Sequence, residues 1–144
     1  MEEQLISFET AKLAFEKGFP QEPNKLRVPY YNYKGEIKGD VTEFLKRYLK
    51  KEDTTGYENI SAPTQSLLQK WLREVHKISV CIDFRHSDTN KIEGINSVYY
   101  DINIYRLHSG DAYKIINMSQ ISDIYEKALE IGLQQALGLI PQAK

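Results

Sequence analysis

The sequence predicts an α+β fold in which a three-stranded antiparallel sheet carries two helices on one face, in the order α-β-β-β-α. The main observation is a change of hydrophobic period. From Thr64 to Val75 the apolar side chains recur every three or four residues, as on one face of a helix. From Ile78 to Phe84 they alternate with polar ones, as in a half-buried strand. A second alternation from Ser97 to Leu107 and a closing helix near Gly138 complete an antiparallel sheet covered on one face.

The helix that opens this core is predicted to begin at Pro63, whose missing N–H has no intrahelical partner in a first turn. Ser61 is the residue whose side-chain oxygen could cap it. Trp71 lies in the middle of the apolar stripe, so we expect it at the centre of the core. The alternation that follows places Phe84 on the same buried face as Ile82.

The end of the core is predicted from turn and cap residues. Residues 109–111, Ser-Gly-Asp, indicate a hairpin turn into a third strand from Ala112 to Met118. Asp123 and Glu126 have the spacing of a capping box for the last helix. A stripe of small residues along that helix favours close approach to a sheet: Ala128, Gly132 and Ala136.

The first 60 residues are predicted to form an N-terminal embellishment of helices and a hairpin. A first helix runs from Ile6 to Phe19, with Ser7 as its cap, and a weak hairpin runs from Leu26 to Gly39 around Lys34-Gly35. A second helix opens at Asp40, and residues 52–59 form a linker. We expect one domain over residues 1–144, with residues 61–140 as its core.

Composition places the chain among ordinary globular domains. Its 144 residues are 41% hydrophobic and 27% charged, enough for one core, and no apolar run has the length of a membrane span. One cysteine excludes an internal disulfide framework and favours a reducing, cytoplasmic setting. A net charge of −1 gives no general attraction to nucleic acid or to anionic lipid.

Three stretches carry a resemblance to a known family. They are ISFETAKLAFEKGF (Ile6 to Phe19), SAPTQSLLQKWLRE (Ser61 to Glu74) and YEKALEIGLQQALGLI (Tyr125 to Ile140), of which the second is the most specific. In them the chain resembles a family of small uncharacterised proteins encoded by phages and prophages of gut bacteria. The resemblance implies an origin in a mobile element and a cytoplasmic setting. It implies no activity and no functional residue.

The order of the core elements also resembles that of double-stranded RNA-binding domains, and LQQAL near the end is similar to their closing helix. Those domains hold the RNA backbone with lysines at the start of the last helix. Here the corresponding residues, 122–127, include Asp123 and Glu126, which would repel phosphate. The topology is therefore expected without RNA binding through that surface.

One segment has the composition of a nucleic-acid surface. Basic residues are interleaved with tyrosines in the segment from Leu26 to Lys51, and tyrosine rings stack on bases while cations bind phosphates. The alternative is a solvated helix face beside an edge hairpin, and tyrosines that belong to a half-buried sheet. The residues are Tyr30, Tyr31, Tyr33, Lys46, Arg47, Lys50 and Lys51.

No stretch has a catalytic, cofactor-binding or metal-binding signature. His76, His86, His108 and Cys81 lack the spacing of a zinc site, so surface histidines are the better interpretation. An outer sheet face shared by Asp83, Asp101 and Asn103 could do acid–base chemistry, although exposed strand positions are polar in any case.

We therefore expect a non-enzymatic protein-interaction module of a phage or mobile element, which binds an unknown host or phage protein, either as a single chain or as a homodimer. The alternative is a nucleic-acid-associated accessory protein that uses the basic and tyrosine-rich segment. No membrane partner and no cofactor is expected.

Overall fold

Two compact groups of elements make up the chain in the computed structural model, which describes residues 4–21, 30–32, 34–38, 60–87 and 97–142. The first unit takes in residues 1–68 and 140–144, and the second takes in residues 69–139. The described residues form an α+β structure with a three-stranded antiparallel sheet preceded and followed by a helix in the order α-β-β-β-α, so the predicted fold class is confirmed. The predicted single domain stays a prediction.

The first unit contains helix α1, Phe8–Glu16, and a small antiparallel sheet. Ser7 is the N-cap of α1, as predicted, and its hydroxyl accepts a hydrogen bond from the backbone N–H of Thr10. The sheet consists of three two-residue strands in the order β2-β1-β3. They are β1, Tyr30–Tyr31; β2, Ile37–Lys38; and β3, Ile60–Ser61. Strands β1 and β2 are the hairpin predicted around Lys34-Gly35.

Two tyrosines contribute to the core of this unit. Tyr30 is fully buried and Tyr31 is 8% exposed. The Tyr31 hydroxyl donates a hydrogen bond to the carbonyl of Ile6 over 2.5 Å, and its ring packs edge-on against Phe8 with 5.4 Å between centroids. Of the two interpretations of the tyrosines in this segment, burial in a sheet is therefore the one that holds for Tyr30 and Tyr31.

Helix α2, Gln65–Val75, begins two residues later than predicted. Its first turn is capped by Thr64, whose hydroxyl accepts a hydrogen bond from the N–H of Leu67 over 3.2 Å. The predicted cap at Ser61 is wrong, because Ser61 belongs to β3. The boundary between the two units falls within α2, after Leu68.

The buried side of α2 differs from the prediction at its largest residue. Leu68 and Leu72 are fully buried, whereas Trp71 is only half-buried and lies edge-on to the ring of His76. The apolar stripe predicted by the period is real, but Trp71 lies at its margin and Leu72 at its centre.

The second unit contains a three-stranded antiparallel sheet in the order β4-β5-β6. Its strands are β4, Ile78–Ser87; β5, Ser97–His108; and β6, Asp111–Ser122. Each of the three is longer than the sequence predicts. Strands β5 and β6 are joined by Ser109 and Gly110, with φ of +49° and +84°. A two-residue hairpin turn of type I′ needs positive φ at both positions, which glycine adopts at no steric cost.

Helix α3, Tyr125–Gly138, packs against β4 and β5 through the predicted stripe of small residues. A Cβ atom added at Gly132 would lie 2.9 Å from Val80 Cγ1 and 3.2 Å from Ile102 Cγ2, so glycine is what allows the close approach. The predicted capping box is absent. Ile124 is the N-cap, without a side-chain cap bond, and its N–H donates to the Ser122 hydroxyl over 3.0 Å.

Strand β6 departs from regular pairing at two places. One irregularity lies at Ile115, and at the other residues 119–121 lie opposite Asp101 alone. Gln120 has a φ of +52° there, and its N–H donates to Asp101 Oδ1 over 2.8 Å. The second oxygen of this buried carboxylate lies 2.9 Å from Arg85 Nε. Asp101 therefore satisfies a backbone donor that the irregularity leaves without a ladder partner.

The predicted second helix from Asp40 and the predicted linker of residues 52–59 lie outside the described residues. Among the helices in the described ranges, none is both long enough and apolar enough to cross a membrane.

Candidate functional site

Exposed aromatic side chains cluster at one end of the second unit's sheet, where β4 ends and β5 and α3 begin. We call Phe84, Tyr100, Ile124 and Tyr125 the aromatic patch. Phe84 and Tyr100 are directly opposite each other in the β4–β5 register, with ring centroids 6.0 Å apart. Tyr100 lies edge-on to Tyr125 at 5.6 Å. The three rings therefore form one continuous aromatic surface.

The patch is exposed because the sheet extends beyond its covering helix. Gly132 of α3 lies over Val80, Ile82 and Ile102, and Phe84 is the next residue of β4 on that face. Phe84 is 63% exposed, so the predicted burial of this residue is wrong. Alternation correctly gives the face on which Phe84 lies, but it gives no information about how far the helix reaches.

Chemically, such a surface suits contact with another macromolecule. Mutually edge-on rings are worth about 0.5–1.5 kcal/mol per pair beyond their area, so the patch is held in shape before any partner arrives. Aromatic residues are also enriched at the centres of protein interfaces. Phe84, Ile124 and Tyr125 are each more than 40% exposed, which leaves substantial apolar area for a partner to cover.

Acidic groups adjoin the patch. Asp123 and Glu126 flank Ile124 and Tyr125 in the chain, and Asp123 is exposed. Carboxylates at the start of a helix are stabilised by the helix dipole, and they favour a cationic neighbour. The electrostatics of the patch therefore match a partner that carries an apolar anchor beside a basic residue.

The opposite face of the same sheet carries a polar network that brings together Asp83, Asp101 and Asn103. The Asn103 side-chain amide donates to Asp83, and its carbonyl oxygen accepts from Asn117 Nδ2 over 2.5 Å. Asp101 bonds to Arg85 and to the Gln120 N–H. Because the two oxygens of Asp101 are committed to structural partners, this network is a device that holds three strands in register and not a pair of carboxylates available for proton transfer.

The basic and tyrosine-rich segment is only partly described. Tyr30 and Tyr31 are buried, so neither ring is available for stacking on a base. The remaining residues of the segment lie outside the described ranges; they are Tyr33, Lys46, Arg47, Lys50 and Lys51.

His76 and Cys81 have separate structural contacts. His76 packs against Trp71 with 4.5 Å between ring centroids, and burial lowers the pKa of its imidazole. Cys81 Sγ lies 3.7 Å from the Ser79 hydroxyl. The described part of the chain contains no group of three or more His, Cys, Asp or Glu side chains that could hold a metal ion.

One open groove of about 660 Å³ lies between the end of α2 and the β5–β6 turn. Its charged lining comprises both signs, with Arg73 and Lys77 beside Glu74 and Asp111, and all four of these residues are exposed. A site that selects a ligand usually has convergent, buried polar groups. The groove has none in its lining, so the aromatic patch is the better candidate.

Comparison of the chain with protein-family models, with curated proteins and with solved structures found no match. The structure alone therefore identifies the candidate site. Sequence reasoning missed the patch, although one signal was available: Phe84, Tyr100 and Tyr125 all lie at the ends of predicted elements, where a covering helix is least certain to reach.

Proposed function

We propose that this protein is a non-enzymatic protein-interaction module of a phage or another mobile element, acting in the cytoplasm. The observation that carries the interaction role is the aromatic patch, in which Phe84 exposes 63% of its surface beside the rings of Tyr100 and Tyr125. Soluble domains bury most such surface, and an exposed apolar cluster is characteristic of an interaction site. The mobile-element origin is supported by the sequence resemblance in Ser61 to Glu74.

The partner that fits the patch is a protein segment with an apolar or aromatic anchor and a basic neighbour. The anchor would cover Phe84 and Tyr125, and the basic group would lie near Asp123. Centrally buried aromatic residues commonly account for 2 kcal/mol or more of binding energy, which is about thirtyfold in affinity. Most of the binding energy should therefore depend on Phe84.

The test is affinity capture from a host lysate, with and without nuclease, by the wild-type protein and two variants. Phe84→Asp places a charge in the patch, and Val75→Asp is the matched control because Val75 is 59% exposed at the end of α2. We expect a partner that survives nuclease, binds wild type and Val75→Asp alike, and is lost with Phe84→Asp.

Two outcomes would contradict the proposal. Equal recovery with Phe84→Asp would show that the patch does not bind the partner. Recovery that depends on intact nucleic acid would favour the alternative function, a nucleic-acid-associated accessory protein.

A further inference from the structure

The rings of the aromatic patch leave π surface open to solvent. Phe84 and Tyr100 are inclined at 71° to each other, and Tyr100 and Tyr125 at 81°. An edge-on contact of this kind occupies at most one face of a ring, and Phe84 and Tyr125 each take part in one. Phe84 is 63% exposed and Tyr125 is 41% exposed. The face of an aromatic ring carries partial negative charge, so these two rings attract cations as well as apolar groups.

At two other places the chain itself supplies a cation to an aromatic ring. Lys12 Nζ lies 4.8 Å from the ring centroid of Phe8, and Lys114 Nζ lies 5.8 Å from that of Tyr105. Within the described ranges, no lysine or arginine lies over a ring of the aromatic patch in this way. The patch therefore keeps an affinity for cations that the chain satisfies elsewhere.

A carboxylate stands beside the patch without a cation of its own. Asp123 is exposed and makes no salt bridge with another described residue. It precedes Tyr125 by two residues, so their Cα atoms lie within about 7 Å of each other. Two neighbouring cations are directed elsewhere: Arg85 is bound to Asp101 on the opposite face of the sheet, and Lys127 is about 200° round the helix from Tyr125. A cation brought by a partner would meet both a ring and a carboxylate.

Of the two permanently cationic side chains, arginine fits this surface better. A lysine ammonium is compact and strongly hydrated, whereas a guanidinium is planar and more weakly hydrated. A guanidinium can therefore stack on a ring with its face while its N–H groups donate to a carboxylate in its own plane. Arginine is also enriched among the residues that dominate the energetics of interfaces.

We propose that the partner presents an arginine to the aromatic patch, with the guanidinium stacked on the ring of Tyr125 and hydrogen-bonded to the carboxylate of Asp123. The apolar anchor then covers Phe84 and the remainder of Tyr125. This inference rests on the proposed function, because it assigns the chemistry of the partner at the same surface.

The test is an NMR titration of the isotopically labelled full-length protein with three short peptides. They have the form acetyl-Phe-Gly-X-amide, in which X is arginine, citrulline or lysine. In an extended peptide the phenylalanine and X lie on the same side, and citrulline has the shape of arginine without its charge. At peptide concentrations up to about 20 mM, we expect the arginine peptide to bind at least about threefold more tightly than either of the others.

Variants then locate the guanidinium. Asp123→Asn keeps the size of the side chain and removes its charge, so it should weaken the arginine peptide at least about threefold and leave the citrulline peptide unchanged. Tyr125→Leu keeps apolar area but removes the π face, so it should reduce the preference for arginine over citrulline. Asp111→Asn is the matched control, because Asp111 is an exposed carboxylate at the opposite end of the sheet. It should change neither affinity.

Four results would overturn the inference. They are equal affinity for the arginine and citrulline peptides, equal affinity for the arginine and lysine peptides, an arginine affinity that Asp123→Asn leaves unchanged, and no chemical-shift change at the patch with any peptide. The proposed function is tested separately, by capture with Phe84→Asp. A partner that is lost with Phe84→Asp, together with any of these four results, would retain the interaction surface and exclude arginine as its ligand.

Discussion

Gly132 shows how a single missing side chain sets the distance between a helix and a sheet. We expect Gly132→Leu to destabilise the protein by about 1–3 kcal/mol, although leucine is the better helix former by about 1 kcal/mol, because the new side chain would overlap Val80 and Ile102. Urea-induced unfolding followed by circular dichroism measures the change.

Gly138 provides the control for this substitution. It ends the same helix, and an added Cβ there would meet nothing within 4 Å. Gly138→Ala should therefore leave stability within about 0.5 kcal/mol of wild type. A Gly132→Leu variant that is more stable than wild type would contradict the packing of α3 described above.

His76 gives the protein a pH dependence of stability with a defined sign. Burial against Trp71 lowers the pKa of His76 in the folded state, whereas in the unfolded chain the pKa keeps its ordinary value of about 6.5. Between these two values the unfolded state binds more protons, so the free energy of unfolding falls as the pH is lowered from about 6.5. Urea melts of wild type and His76→Gln over that pH range should show a smaller dependence in the variant.

His108→Gln is the matched substitution, since His108 is exposed on β5. In a His108→Gln background, His76→Gln should reduce the pH dependence of the free energy of unfolding by the same amount as in the wild-type chain. An identical pH dependence in wild type and His76→Gln would show that His76 does not lose exposure on folding.

Among the elements, helix α2 shows that the largest side chain of a helix need not be the most buried one. Leu72 is fully buried and Trp71 is half-buried, so we expect Leu72→Ala to cost about 2–5 kcal/mol and Trp71→Ala to cost less. Equilibrium unfolding of both variants in urea shows which substitution causes the larger loss in the free energy of unfolding. A larger loss for Trp71→Ala would restore the tryptophan as the centre of the core.

Local patterns predicted the described elements and their order, with the exception of strand β3, because hydrophobic period and turn residues act over a few positions. The alternation gave β4 and β5, and Ser109-Gly110 gave the hairpin that joins β5 to β6. The helix cap is Thr64 and not Ser61, because Ser61 is part of strand β3. That pairing joins segments distant in sequence, so a local pattern does not predict it.

The candidate site was harder to predict, because local patterns extend over a few positions and the exposure of the site depends on residues distant in sequence. Phe84 follows the alternation of its strand, yet its exposure depends on where α3 begins above the sheet, which no neighbouring residue determines. Asp101 has the pattern of a solvent-facing strand residue, but it is buried because an irregularity 19 residues further along the chain, at Gln120, needs an acceptor.

At the scale of the whole molecule, electrostatics limits nucleic-acid binding. A chain of net charge −1 gains nothing overall from a polyanion, and Tyr30 and Tyr31 are buried. We expect single- and double-stranded RNA and DNA to bind more weakly than about 10 μM at physiological salt, as in non-specific binding. Fluorescence anisotropy with labelled strands measures this.

The contrary result would have a clear signature. Binding much tighter than this, which weakens steeply with salt and disappears when Lys46, Arg47, Lys50 and Lys51 are changed to Glu, would support the nucleic-acid alternative. About four phosphate contacts on a single strand correspond to a log–log salt slope near −3.

The two-residue turn at Ser109 and Gly110 has a consequence for the order in which the second unit folds. Hairpins with short loops close in about 1–10 μs, since little chain entropy is lost on closure, whereas β4 must find β5 across the longer connection of residues 88–96. We expect the β5–β6 hairpin to be formed in the transition state. Gly110→Ala, strained at a φ of +84°, should then slow refolding and hardly change the unfolding rate in stopped-flow experiments.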